Sequence, residues 1–176
     1  MPRIIQQLNA INRTLGKTLA WLSLGMVLLM ALTVLQRYLF QSSTIWQQEL
    51  IRYMHGLVFL GCAGFTLLCN EHVRVDVFYQ QASKRYKHWV NLVGTWLFLI
   101  PTAIAMIYFS YDFVMHSWAI YEPSSEPLGL PGVFLYKTLL WVCPMSLIIQ
   151  AVSLTIEHGY ALKQQASLSQ TEEQSL

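Results

Sequence analysis

The sequence predicts an all-α fold: a polytopic membrane protein of four transmembrane helices, with amphipathic interfacial helices beside them. The first observation is four long stretches without Asp, Glu, Lys or Arg. Nineteen such residues separate Lys17 from Arg37, eighteen Arg52 from Glu71, twenty-four Lys87 from Asp112 and nineteen Lys137 from Glu157. A helix rises about 1.5 Å per residue, so roughly 20 apolar residues match the hydrocarbon core of a bilayer. Soluble helices of this length carry a polar face, and these do not. The second observation is composition: 55% of the 176 residues are hydrophobic and 11% are charged, a balance that argues against a soluble fold. The third is that the basic residues fall in alternate connections, as four crossings require.

The elements follow in order. Ile4, Ile5, Leu8, Ile11 and Leu15 recur at helical spacing, with Arg3, Gln6, Gln7, Asn9 and Arg13 between them. That pattern predicts a helix lying on the membrane surface before the chain turns into the first span, about 17–40. Trp21 to Leu35 is preceded by sixteen residues of amphipathic sequence and ends in Gln36-Arg37-Tyr38 with no Ala-x-Ala site following, so the span is expected to be a retained anchor. A short link, Gln41-Ser42-Ser43-Thr44, leads to the second span at about 46–69. Phe78, Tyr79, Ala82 and Tyr86 then share one helical face, with basic residues opposite, and predict a second interfacial helix drawn to anionic phospholipid. The third and fourth spans, about 88–112 and 133–158, each contain a bending proline, Pro101 and Pro144. Loop 112–132 is dense in Pro123, Pro127, Gly129 and Pro131 and reads as an ordered, turn-rich cap. Residues 1–163 thus form a single four-helix membrane domain, and the polar tail 164–176 is expected to be disordered. Too little chain remains for a separate water-facing catalytic domain, which needs about 50 residues.

Charge placement sets the expected orientation. Arg3, Arg13, Lys17, Arg74, Lys84, Arg85, Lys87 and Lys163 lie on one side. Only Arg37 and Lys137 lie on the other, with Arg52 at the outer end of the second span, and loop 112–132 there holds Asp112, Glu122 and Glu126. The positive-inside rule places both termini and the middle loop in the cytoplasm.

Several polar constellations are candidates for chemistry or anchoring. Glu49 and Arg52, at i and i+3 on one helical face, can pair at the outer end of the second span, with Arg37 as a further cation and Trp46 at the interface. Gly61, Ala63 and Gly64 form a small-residue patch where another helix can pack closely. His72, Arg74 and Asp76 alternate with valines and read as an extended segment pinned on one side. Cys62, Cys69 and Cys143 read as small apolar residues of helix interfaces, with no metal spacing. Five histidines raise the question of haem. A bis-histidine site needs two ligands at one depth on facing helices. His55 is well inside a span, has no evident partner, and is expected to hydrogen-bond within the bundle. No span carries an acid or base at its middle, which argues against a transport pathway through this chain alone.

The stretch Trp46-Gln47-Gln48-Glu49-Leu50-Ile51-Arg52-Tyr53, then Leu60-Gly61-Cys62-Ala63 and Glu71-His72-Val73-Arg74-Val75-Asp76, resembles the DctQ family. These are the small membrane subunits of tripartite ATP-independent periplasmic (TRAP) transporters. Glu126-Pro127-Leu128-Gly129-Leu130-Pro131, followed by Tyr136 and Pro144, is similar to the final hairpin of that family. The likeness runs from about residue 17 to 155. The outer loop with Glu122 and Glu126 departs from the pattern and is expected to be solvated.

The resemblance implies a noncatalytic small permease subunit, with no cofactor and no nucleic acid, in a bacterial inner membrane. Its partners would be a large DctM-type membrane subunit, which moves substrate by a sodium-coupled elevator motion, and a periplasmic substrate-binding protein. The substrate would be a carboxylate, such as a sialic acid or a C4-dicarboxylate. The small subunit would touch neither sodium nor substrate and would steady the scaffold. Arg37, Trp46, Glu49, Arg52, Gly61, Gly64, His72, Arg74 and Asp76 are the residues expected to anchor it to partner or membrane. The alternative is a haem-bearing membrane anchor of a redox complex.

Overall fold

The structure, a computed structural model, describes residues 3–42, 44–71 and 83–174. Its helices are α1 (Arg3–Phe40), α2 (Ile45–Gly61), α3 (Ala63–Leu68), α4 (Lys84–Gly94), a π-helical turn (Thr95–Leu99), α5 (Ile100–Ala119) and α6 (Val133–Gln174). Four runs are long and apolar enough to cross a membrane: α1, α2 with α3, α4 through α5, and α6. They alternate in direction. The link after α1 and the link 120–132 therefore lie at one end, and Arg3, Glu71, Ser83 and the end of α6 at the other.

The helix α6 is central. It packs against α1, α2, α3, α4, the π turn and α5. Its buried residues Leu139, Cys143, Ser146, Gln150 and Ser153 recur every three or four positions, the spacing of one helical face. The second and third runs do not touch each other, nor do the first and third, among the described residues. So α6 is a wall with α1–α3 on one side and α4–α5 on the other.

The polarity of the bundle is inverted relative to a soluble protein. Trp21 is 75% exposed, Tyr38 80% and Phe109 81%, while Asn12, Gln47, Glu49, Ser146, Gln150 and Ser153 are buried. That inversion suits lipid, where apolar side chains lose nothing by facing outward and polar ones must find partners inside.

Local chemistry explains the helix boundaries. The chain does not turn between the amphipathic amino-terminal segment and the first span; α1 is continuous from residue 3. Ile5, Asn12, Gly16 and Leu19 form its buried stripe, and Ile4, Ile11 and Leu15 face outward. Bonds from Asn9 and Asn12 to α6 hold this segment upright. Ser83 caps α4, its hydroxyl accepting from the Tyr86 N–H at 3.3 Å. Lys84 to Lys87 are therefore the first turn of the third run and not part of a separate surface helix; residues 78–82 lie outside the described residues.

Pro101 has no N–H and its ring crowds the carbonyl four residues back. The helix accommodates it by widening just before, where the Ile100 N–H bonds to the Thr95 carbonyl five residues back. Two helices end in the same way. After α3, Asn70 is left-handed (φ 63°), and the Asn70 and Glu71 N–H groups return to Leu67 and Thr66 at 3.1 Å. After α5, Tyr121 is left-handed (φ 47°), with Glu122 bonded to Ser117 at 3.0 Å. Both are the 6→1 closures that satisfy orphan carbonyls. At the other terminus α6 stays helical to Gln174. No Gly or Pro interrupts residues 164–174, and Gln, Ala, Leu and Glu there favour helix.

Near the terminal end, α1, α3 and α6 are joined by amides and hydroxyls. The Asn12 amide donates to the Ser146 carbonyl at 3.2 Å and to Gln150 Oε1 at 3.0 Å. Gln150 and Ser153 both donate to Asn9 Oδ1, at 3.2 and 2.6 Å. The Gly64 N–H donates to Ser146 Oγ at 3.2 Å. A methyl at Gly64 would stand 2.6 Å from the Ser146 carbonyl oxygen and 2.8 Å from Asn12 Oδ1, so no other residue permits this approach.

Interhelical hydrogen bonds in membranes average about 0.6 kcal/mol each. Asn12→Ala is therefore expected to cost about 1–2 kcal/mol, read by unfolding in mixed micelles. Gly64→Ala overpacks a backbone contact and should cost about 1–3 kcal/mol in the same assay. Gly159→Ala, where nothing lies within 4 Å, should be neutral or slightly stabilising.

Candidate functional site

The hairpin end holds the most tightly bonded acid of the protein's membrane runs. Glu49, in the second turn of α2, is only 4% exposed. Its Oε1 accepts from Ser124 Oγ at 2.5 Å, and its Oε2 from the Leu130 N–H at 2.6 Å. Both donors belong to the connection between α5 and α6. A tight turn presents them: Ser124 Oγ accepts from the Glu126 N–H at 3.0 Å, and the Gly129 N–H bonds to the Glu126 carbonyl at 3.1 Å. A side chain at 129 would begin 2.6 Å from Glu49 Oε2, so glycine is required by close approach. One carboxylate thus fastens α2 to the second hairpin.

The same loop is fastened on its other side. Glu122 pairs with Lys137 of α6, whose ammonium also lies 3.9 Å from the centre of the Phe113 ring. The Lys137 ammonium holds the Glu122 carboxyl below the usual glutamate range. Trp118 Nε1 donates to Thr138 Oγ1 at 2.9 Å. The loop is therefore bonded to α2 and α6 and is not merely solvated, as its acidity predicts. Tyr53 stacks on Tyr136 at 4.8 Å, and Tyr136 covers Gly56, where an added methyl would begin 2.5 Å away. This joins α2 to α6 one turn below the latch.

The other sequence-predicted residues divide. Arg52 is exposed, and the ion pair with Glu49 that their spacing allows is not formed. The loop donors occupy both carboxylate oxygens, and Arg52 points off the buried stripe. Arg37 is exposed in a shallow groove with Met30, Gln48 and Ile51, apart from Glu49. Trp46 is half-exposed at the start of α2. Gly61 lies under Leu19 of α1, and Gly64 under Asn12 and Ser146, so helices of the same chain fill the small-residue patch. His72, Arg74 and Asp76 lie outside the described residues.

His55 does not bond within the bundle; it is exposed and stacks with Phe59, with centroids 6.3 Å apart. The buried positions of α2 include Glu49 and Gly56, and His55 lies off that line. Cys143 is buried, but Cys69 is exposed just past α3.

Spacing gave no signal for one pairing. His88 of α4 and His158 of α6 meet at the terminal end, Nδ1 to Nδ1 at 3.0 Å. They share one depth on facing helices, but bond each other. A metal ion between two imidazoles needs about 4 Å, twice a metal–nitrogen bond of about 2 Å. No group of three or more His, Cys, Asp or Glu able to hold a metal occurs among the described residues. The Asn9–Asn12–Ser146–Gln150–Ser153 junction was likewise missed. Its sequence trace is three polar residues at 146, 150 and 153 on one face of an otherwise apolar span.

No curated protein and no solved structure matches the chain. The family described as "Tripartite ATP-independent periplasmic transporters, DctQ component" matches residues 26–158. That range contains the Glu49 latch, both hairpins and α6 as far as His158. Spans of this polarity, joined by hydrogen bonds and covered in apolar side chains, are what a membrane component of such a system requires. The chain belongs to the DctQ family, and is the small permease subunit of a TRAP transporter and not an enzyme.

Proposed function

We propose that this subunit is a static brace for the large, DctM-type membrane subunit of a sodium-coupled transporter. The observation that carries the reading is how the polar groups are used. Asn12, Glu49, Ser146 and Gln150 are buried and bonded to other parts of the same chain. The faces turned outward are apolar. A conduction path needs polar groups lining a route, often on broken helices at mid-membrane. A brace needs rigidity and an apolar flank. In this reading the large subunit carries the substrate, a carboxylate such as a sialic acid or a C4-dicarboxylate, delivered by a periplasmic binding protein.

The basic residues at the terminal end support cytoplasmic termini in the inner membrane. The hairpin end, which carries Trp46, Glu49, Arg52 and Arg37, then faces the periplasm. Arg52 and Arg37 are exposed there and available to a partner or to headgroups. At the cytoplasmic end, His72, Arg74 and Asp76 complete the anchoring set.

The test is to tag the carboxyl terminus, solubilise native membranes gently and identify what co-purifies. Recovery of a large polytopic subunit is expected; a redox subunit with visible haem, or this chain alone, would refute the reading. Glu49→Ala and Arg74→Ala should each lower uptake severalfold by reducing complex recovery, with substrate binding by the soluble component unchanged. Ser124→Ala, which removes one of two bonds to Glu49, should give the smaller loss. Normal recovery of the complex with both Glu49→Ala and Arg74→Ala would count against the brace.

A further inference from the structure

Both the second and third runs pack on α6, and a lateral groove of about 660 Å³ lined by described residues of α3, α4 and α6 lies at the terminal end. Its depth is apolar, lined by Leu67, Phe98, Leu99 and Leu154. Its lip is polar: Asn70 just past α3, Asn91 on α4, and Glu157 and His158 on α6. The division follows the helix axes. Leu67 precedes Asn70 by about one turn, Leu154 precedes His158 by one, and Phe98 follows Asn91 by two. Asn70, Asn91, Glu157 and His158 stand at the end where the apolar span stops, and Thr95, one turn deeper, turns its hydroxyl to the Asn91 carbonyl.

Gly94 lines this groove, and an added methyl there would meet nothing within 4 Å. A glycine inside a helix costs about 1 kcal/mol against alanine. Gly16, Gly56, Gly61 and Gly64 each sit under a neighbouring side chain or backbone. Gly94 has no such neighbour, and its lack of a side chain leaves the groove open.

We propose that the groove seats a phospholipid with a phosphoethanolamine headgroup, one acyl chain running along Leu154 and Phe98. The charge of the lip selects the headgroup. Glu157 offers a carboxylate to an ammonium, while the Asn70 amide at the same lip can donate to a phosphate oxygen. A glycerol headgroup would offer Glu157 only neutral hydroxyls, weaker partners for a carboxylate than an ammonium, and would leave the lipid net anionic beside it. A choline headgroup is cationic but has no N–H to donate. This inference rests on the chain lying in a bilayer and not on the brace, so the two fail separately.

The experiment purifies the complex from membranes containing phosphatidylethanolamine and phosphatidylglycerol and counts retained lipid by native mass spectrometry. The wild type should retain phosphatidylethanolamine enriched severalfold over the bulk membrane. Gly94→Leu fills the groove with a better helix former and should lose that lipid at least severalfold, with its melting temperature held. Gly159→Leu, at the other open glycine, should keep it. Glu157→Gln should keep a lipid but lose the preference between the two headgroups. Equal retention by wild type and Gly94→Leu, or a headgroup ratio equal to the bulk in the wild type, would overturn the proposal. So would a Gly94→Leu variant that keeps its lipid and loses the large subunit, which would assign the groove to protein.

Discussion

The middle of a bilayer offers a polar side chain no water, and that absence organises this protein. A buried polar group there is costly unless it is bonded, and Asn9, Asn12, Glu49, Gln150 and Ser153 are drawn to partners within the chain. Each finds one, and the partners decide which helices meet. Burial of apolar surface cannot do this work, because lipid is as good a solvent for leucine as another helix is. Trp21, Leu39 and Phe109 are accordingly left outside, and packing follows the amides, hydroxyls and glycines.

The two ends solve the problem differently. At the terminal end the bonds are neutral, between amides and hydroxyls of α1, α3 and α6, with Gly64 admitting the approach. At the hairpin end they are charged, with Glu49 and Glu122 each tying one loop to a different helix. Charge-assisted bonds are the stronger kind, and they appear where headgroups and water lower the cost of burying a carboxylate. The loop between α5 and α6 is held from both sides, as a firm periplasmic-facing cap demands under the proposed orientation.

The apolar runs were legible in the sequence because hydropathy over twenty residues is a strong, local signal. Glu49 was legible as a site because an acid at a span end needs a reason. Its partner was not: Leu130 is 81 residues away, and a backbone N–H leaves no mark in a sequence. Arg52 looked the natural partner at i+3, yet spacing along a helix cannot say which face the rest of the fold will cover. The same limit hid the His88–His158 contact. Residues 3–16 misled in another way: their isoleucines and leucines make an amphipathic stripe, but Asn9, read as part of the wet side, bonds to α6 alongside Asn12.

The π turn before Pro101 adds one residue to the helical path, and its consequence is angular. Each residue advances an α-helix by about 100°, so α4 and α5, consecutive in sequence, present independently set faces to α6. The upper rod aims Ser110 at Trp141 and Trp118 at Thr138, while the lower rod aims His88 at His158. Deleting any one residue of Thr95–Leu99 would straighten the ladder and swing the lower rod by nearly a third of a turn. The five residues of the π turn, packed against α6, therefore also act as a phase shifter, and their number sets the angle between the two rods.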